Sequence, residues 1–315
     1  KQWSERLGIL YSFRNDLIFY FGIGIGIICL LCWFVCRFGL TGLRELTHQT
    51  QAIDIQSLQQ RIVIRHKSSD IMQLSHAINH MLQRIESGYQ ELKRFSENIA
   101  HEFRTPLNNV MGQTEILLSE PRTSAQYQEL LISHLDEYQR LKRMIDSMLF
   151  LARAEQQQVR LDFQSIEIQE FIENILSFYE LLASEKRIQI MSEVENLIVK
   201  TDPDLLQRAI SNLVENAVLH GSESGIIHLY AKYVTYKNRE MIKISVLSQD
   251  VFIENQHLPY IFERFYQCQS SRHLQGRSGG LGLSIVASIM KLQEGDYHVE
   301  NTECGVCFSL YIPIH

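Results

Sequence analysis

The spacing of apolar and polar residues changes along this chain, and each change marks a different element. From Leu17 to Cys36 no charge interrupts an apolar run bounded by Asp16 and Arg37. About 20 residues at ~1.5 Å rise each span a bilayer core, and a soluble helix of that length would carry a polar face, so a transmembrane helix is predicted over 17–37. A short amphipathic piece with Leu40, Leu43 and Leu46 and a Gln-rich connector follow. Then Ile71, Leu74, Ile78, Met81, Ile85, Leu92, Phe95 and Ile99 step by three and four, the seam of a left-handed coiled coil interrupted at Gly88. One helix cannot bury so narrow a seam, so the chain is expected to dimerise.

The same helix is expected to run on into Phe95–Val110, where Pro106 removes an amide hydrogen bond and loosens the turn. Glu120-Pro121-Arg122 closes it. A second helix is predicted over about 124–155, with Leu130, Leu131, Leu135, Leu141, Ile145, Met148, Leu149 and Leu151 as its apolar set. Two antiparallel helices per chain, doubled, make a four-helix bundle. From about Leu161 the pattern becomes α/β. Strands are predicted at Ile166–Ile168, Ile188–Ile190 and Ile198–Val199, a helix at Asp204–His220, a hairpin from Ile226–Val234 and Met241–Leu247, a helix at Leu283–Lys291 and a last strand at Val306–Ile312. Together they predict a two-layer α/β sandwich with helices on one face. The chain is therefore multi-domain: a membrane helix, a helical dimeric part and an α/β sandwich.

Composition narrows the setting. The 315 residues carry a formal net charge of −6, and no Lys/Arg-rich run supplies a phosphate-neutralising patch, so direct nucleic-acid binding is not expected. Cys29, Cys32 and Cys36 share one face of the apolar helix and read as small membrane residues, while Cys268, Cys304 and Cys307 form no disulfide framework. A reduced C-terminal portion follows. Lys1, Arg6 and Arg14 before the span roughly balance Arg37 and Arg44 after it, so charge alone does not orient it. The start at Lys1 suggests a fragment, with residues 1–16 the remnant of an extracytoplasmic region. His76 and His80 read as the polar face of the coiled coil, and Cys304-Gly-Val-Cys307 as the start of a strand.

Four segments carry candidate chemistry. His101 stands beside Glu102, an imidazole able to accept a phosphoryl group if it is neutral, exposed and oriented by an acid. Asn212 and Asn216, one turn apart, can ligate Mg²⁺ through an amide oxygen or donate to phosphate through an amide nitrogen. Gly279, Gly280 and Gly282, with Gly276 just before, open a helix where backbone amides can close on phosphate oxygens. Ile261-Phe-Glu-Arg-Phe-Tyr266 precedes a polar stretch, Gln267–Ser278, that could fold over a nucleotide.

In this order the segments resemble the sensor histidine kinases of bacterial two-component systems across essentially the whole chain. His101-Glu-Phe-Arg-Thr-Pro106 resembles their phosphoacceptor box, Asn212–Asn216 their asparagine box, Phe262–Tyr266 the box before the ATP lid and Gly280-Leu-Gly282-Leu the second glycine box. Residues 38–92 are similar to the HAMP signal relay, 93–157 to the dimerisation and phosphotransfer domain and 161–315 to the ATP-binding domain. Phe95–Asn109 and Asp146–Arg153 are most similar to the copper- and heavy-metal-responsive branch. The resemblance implies that His101 takes the γ-phosphoryl group of ATP with Glu102 as general base, and that the Thr105 hydroxyl orients water for dephosphorylating the regulator, a second, opposing activity. It places Asn212, Asn216, Arg264, Gly280, Leu281 and Gly282 at the nucleotide, with Mg²⁺ at Asn216. It implies a homodimer in the bacterial inner membrane, residues after about 37 in the cytoplasm, and a response regulator as phosphoryl acceptor.

Three departures from the family pattern set further expectations. Ser248 falls where an aspartate usually reads the adenine amino group, and Asp250 and Phe252 stand where glycines are usual, which predicts side chains crowding the base site. Leu219 and His220 replace a basic and an aromatic residue, which predicts one phosphate contact fewer, and Gly42 replaces a proline of the relay. An alternative stays open on these grounds: a nucleotide-deficient relative acting mainly as a response-regulator phosphatase or phosphotransfer scaffold.

Overall fold

A computed structural model describes residues 2–39, 41–54, 57–63, 69–268 and 279–314. Two compact units divide the chain, 1–94 and 95–315.

In the first unit α1 (Gln2–Gly39) and α2 (Thr41–Gln51) precede the start of α3 (Ser69–Leu118). Among the described residues, Leu17–Arg37 is the one helical segment long and apolar enough to cross a membrane, and none of it is buried within the protein. Between α2 and α3 the connector at 57–63 is held by side-chain amides that imitate a β ladder. Asn79 Oδ1 accepts from the Ile62 N–H at 2.9 Å while its Nδ2 donates to the Ile62 carbonyl at 2.9 Å. Gln49 treats Val63 the same way at 3.1 Å in each direction. Ile62 is buried, as are Leu46 of α2 and Leu82 of α3, and Arg61 pairs with Glu86 at 2.5 Å. On α3 it is Ser75 and Leu82, outside the predicted seam, that are buried, whereas the seam residues Leu74, Met81 and Ile85 are exposed.

In the second unit α3 passes Pro106 without a break, because one absent amide removes one bond rather than a turn. Beside it the Thr105 hydroxyl donates to the His101 carbonyl at 3.4 Å. A capping box between Thr123 and Gln126 then starts α4 (Ser124–Glu155). Val110, Met144 and Leu151 are buried, but Leu107, Met111, Ile116, Leu131, Leu135, Ile145 and Leu149 form an exposed apolar set on the two helices.

The α/β part holds β1 (Gln164–Glu167), α5 (Ile168–Glu185), β2 (Gln189–Val194), β3 (Ile198–Thr201), α6 (Pro203–His220), β4 (Ile226–Tyr236), β5 (Arg239–Gln249), α7 (Gly282–Leu292), β6 (Asp296–Asn301) and β7 (Gly305–Pro313). Five strands form one sheet in the order β2-β4-β5-β7-β6, with β2 and β4 parallel and the other pairs antiparallel. β1 and β3 pair separately. Ile168, predicted in a strand, is instead the first residue of α5, its N–H held by the Leu197 carbonyl at 2.9 Å. β6 lacked a clear signal because its sequence DYHVEN offers only Tyr297 and Val299 to alternate inward. The core lies between the sheet and α5, α6 and α7, with Ile172, Leu206, Ile210, Leu213, Ile244 and Ile289 fully buried. At about 25 cal/mol per Å² of apolar surface, this burial is the main source of the domain's stability.

Candidate nucleotide and phosphoacceptor site

A cavity of about 390 Å³ opens between α6, the start of α7 and the ends of β5 and β7. Its floor follows from strand alternation. Ile242, Ile244 and Val246 of β5 point into the helix-covered core, and Ser248, two residues on, continues that face and lines the cavity. Ser245 instead meets Ser309 at 2.9 Å on the opposite face. Val306 and Phe308 of β7 complete the floor.

The loop after Ser248 is strapped to the β6–β7 turn. Asp250 donates its N–H to the Cys304 carbonyl at 2.9 Å, Val306 donates to the Val251 carbonyl at 2.7 Å, and Asn301 both accepts from Ile253 N–H at 3.1 Å and donates to its carbonyl at 2.6 Å. Asp250 takes a left-handed φ of 59° and is not among the cavity-lining residues. Phe252 lines the wall and is 58% exposed, so of the two side chains expected to crowd the base site one borders the cavity and the other does not. The straps depend on Gly305, at φ 149°, where any Cβ would run into the Ser248 carbonyl oxygen.

One wall is α6, started by Pro203 behind the N-cap Asp202, whose carboxylate accepts from Leu205 N–H at 3.1 Å. Its Asn212, Glu215, Asn216, Leu219 and His220 line the cavity. Asn212 donates one of its two amide N–H groups to the Arg208 carbonyl at 2.7 Å, which leaves the amide oxygen and the second N–H to offer. Burial first, and the charge of Lys186 second, hold His220 below the ordinary histidine pKa, so at neutral pH it is an uncharged ring.

The opposite wall is the glycine turn. Gly279 and Gly280 take φ of 55° and 74°, and a Cβ on Gly280 would press on the Phe265 backbone at 3.0 Å. Phe265 donates its N–H to the Gly280 carbonyl at 3.0 Å. Leu281 is fully buried, so only its backbone can face a ligand, and Gly282 opens α7. Gly276 and most of Gln267–Ser278 lie outside the described residues.

The phosphoacceptor helix abuts this turn. His101 and Thr105 are exposed on α3. Glu102 lies half-buried against the glycine turn: a Cβ on Gly279 would stand 2.9 Å from its Oε2 and 3.3 Å from Met144 Cε. Burial raises the Glu102 pKa above the usual 4.5, while Arg140 and then His101 pull it back down. Arg264, expected at the nucleotide, is engaged elsewhere. Its guanidinium pairs with Glu155 of α4 and lies 5.6 Å from the Phe95 ring centroid, and it is not among the cavity-lining residues. Phe265 meets the same Phe95 ring at 5.8 Å. Tyr266 lines the cavity and shares a 2.7 Å hydrogen bond with His257 Nδ1.

Sequence reasoning passed over Glu215, His257 and Arg140. His257 lies in an irregular loop without periodicity, and Arg140 reads as a solvated position of α4 until the fold places Glu102 nearby. Among the described residues no three His, Cys, Asp or Glu side chains cluster as a metal site. The donors on α6 are hard oxygens, the amide oxygens of Asn212 and Asn216 and the carboxylate of Glu215, a set that fits Mg²⁺ held jointly with phosphate.

Comparison with known proteins gives two domain matches. Residues 91–157 match the His Kinase A (phospho-acceptor) domain, and residues 201–315 match the histidine kinase-, DNA gyrase B- and HSP90-like ATPase domain. Sensor protein CzcS of Cupriavidus metallidurans is 34% identical over 100% of this chain and 65% of its own length. Sensor histidine kinase CusS of Escherichia coli is 30% identical over 95% of this chain and 62% of its own. The chain thus spans less than two thirds of these relatives. Among solved structures, full-length ShkA in complex with AMPPNP is 25% identical with a TM-score of 0.52, covering 68% of this chain and 44% of that one. ThkA in complex with the response regulator TrrA shares the fold at a TM-score of 0.58 and 20% identity, over 80% of this chain and 69% of that one.

Proposed function

From a chain that belongs to the sensor histidine kinases of bacterial two-component systems, we propose an ATP-dependent protein-histidine kinase that phosphorylates itself on His101 and passes the phosphoryl group to an aspartate of a response regulator. The single observation that carries this reading is the contact of the phosphoacceptor helix with the nucleotide pocket: Glu102, beside His101, lies against Gly279 at the mouth of an open cavity. In this reading the purine lies over the apolar floor and the triphosphate runs toward the Gly279–Gly282 amides. Asn216, with Asn212 and Glu215, would hold Mg²⁺, which when bound neutralises charge on the phosphates.

His101 supplies the nucleophile. The neutral ring nitrogen forms a bond to the γ-phosphorus, the bond to the ADP oxygen breaks, and Glu102 takes the ring proton as positive charge develops. Positioning contributes more here than covalent chemistry, because the transition state is loose. Thr105, exposed one turn on, is assigned the opposing role of orienting water for regulator dephosphorylation.

Assembly belongs to the same reading. The exposed set Leu107, Met111, Ile116, Leu131, Leu135, Ile145 and Leu149 is what a second copy would cover in a four-helix bundle. The apolar helix Leu17–Arg37 supports an inner-membrane location with the later residues in the cytoplasm, and 57–63 with its amide clamps would be part of a HAMP-like relay over 38–92. Similarity to CzcS and CusS supports a metal-responsive sensor.

Incubating the full chain in nanodiscs with γ-labelled ATP and Mg²⁺ tests the proposal. Acid-labile label on the wild type and none on His101→Gln is the expected result. No label on either would overturn it.

A further inference from the structure

Two arginines of the α/β part reach over to the phosphoacceptor helices, and each ends beside an aromatic ring with a carboxylate near it. Arg208 of α6 places its guanidinium 4.3 Å from the Phe150 ring centroid of α4, with the charge of Asp146, one turn earlier, acting on it. Arg264 lies 5.6 Å from the Phe95 ring centroid of α3 and pairs with Glu155 at the end of α4. Neither lines the nucleotide cavity. Between α4 and α6 a second cavity of about 220 Å³ is bordered by Arg143, Asp146 and Ser147 on one helix and Arg208, Asn212 and Glu215 on the other. The Arg208 clasp therefore sits one turn behind the oxygens proposed for Mg²⁺. Along α4 the grip runs from Met144, which borders Gly279, through Phe150 to Glu155, about 16 Å at ~1.5 Å per residue.

Resting on the kinase reading above, we infer that Arg208 and Arg264 are positioning residues for phosphoryl transfer, whose clasps on Phe150 and Phe95 seat the α/β part on the helices so that Glu102 meets the glycine turn. Met144 and Leu151 also join the two parts, both buried in the α/β core. Apolar contacts of that kind are non-directional and hold two surfaces together without fixing where one sits along the other. A guanidinium is a planar fork that lies over a ring and faces a carboxylate, so it fixes both slide and turn. That precision matters because a misplacement of about 1 Å far from the chemistry can cost ~100-fold in rate. The Arg208 backbone carbonyl, not its side chain, receives the Asn212 amide at 2.7 Å, so loss of the guanidinium leaves the cavity wall in place.

Position and binding are separated by measuring single-turnover labelling and ATP affinity on the full chain in nanodiscs with Mg²⁺. Affinity is read in the His101→Gln background, so that no turnover intervenes. Arg208→Met and Phe150→Leu approach one clasp from its two ends, and the second leaves the α/β part unaltered. Each is expected to keep ATP affinity within about three-fold of wild type while labelling at saturating ATP falls at least about ten-fold. The double variant should label no more than about three-fold below the slower single, because both changes remove the same contact. Arg264→Met should show the same split between rate and affinity. The inference is overturned if both single variants label within about ten-fold of wild type, or if both lose ATP affinity in proportion to rate. A double variant whose loss is the product of the two single losses overturns it as well. Each of these results leaves the kinase reading intact. Absence of label on the wild type overturns that reading and this inference together.

Discussion

Glu102 of the phosphoacceptor helix and Gly279 of the nucleotide turn are packed so closely that a methyl group on the glycine would stand 2.9 Å from the carboxylate oxygen. The turn is also left-handed there, at φ 55°, so alanine adds backbone strain of about 1 kcal/mol to the collision. Gly279→Ala is expected to lower the rate of His101 phosphorylation about 100-fold and, because Gly279 also lines the cavity, to weaken nucleotide binding by a smaller factor, the added methyl meeting Glu102 and Met144 first. Parallel measurement of single-turnover labelling and of nucleotide binding separates the two effects.

Arg140 governs the pH at which Glu102 can act as a base. Burial lifts the Glu102 pKa above 4.5 and Arg140 is the foremost influence opposing it. Arg140→Leu should therefore raise that pKa further and move the acid limb of the labelling rate to higher pH. Stability has the opposite sense. A carboxyl with a raised folded-state pKa contributes stability that is present below 4.5 and lost as pH rises through the folded value. Glu102→Gln should thus raise the melting temperature at neutral pH and lose that advantage as the pH falls below 4.5. Equal gains at both pH values would contradict the assignment.

Gly305 shapes the base end of the cavity from behind. With φ at 149° and the Ser248 carbonyl in the path of any Cβ, Gly305→Ala must push β7 away from the loop at 250–253. Nucleotide binding is expected to fall at least about ten-fold, with a destabilisation of about 2–4 kcal/mol visible in chemical denaturation.

A fourth expectation concerns the α6 start. Gln293, almost fully buried after α7, accepts through Oε1 from the Asp202 N–H at 3.0 Å and from the Thr201 hydroxyl. Gln293→Ala leaves two buried donors without a partner and should cost about 1–3 kcal/mol. Urea denaturation of the variant checks this, with unchanged phosphoryl transfer at low temperature as the companion result.

Much of the architecture was legible because apolar spacing speaks for long elements. Ser124–Glu155, the α6 helix and the β4–β5 hairpin emerge within a few residues of their predicted limits, and Lys237 and Asn238, at φ 49° and 61°, close the hairpin as a left-handed turn. Ile168 was misread because Ile166 and Ile168 alternate as a strand would, while the fold turns the second into a helix start against Leu197. Of the two side chains expected to crowd the base site, Phe252 lines the cavity and Asp250 does not. Sequence cannot report that Asp250 adopts a glycine-like φ or that Asn301, nearly fifty residues on, holds the loop at Ile253. Arg264 likewise lies in a motif that suggests phosphate, yet its partners Glu155 and Phe95 are far away in sequence and near only once α3 and α4 pack against the nucleotide domain.

The paired amide clamps on the connector of the first unit bear on how a signal could be carried. Asn79 and Gln49 each hold both the N–H and the carbonyl of one residue, Ile62 and Val63. In an extended segment successive residues turn their backbone groups to opposite sides, so a slide of one residue would break all four bonds and leave the two amides nothing equivalent to grip, and the strap is pinned to a single register.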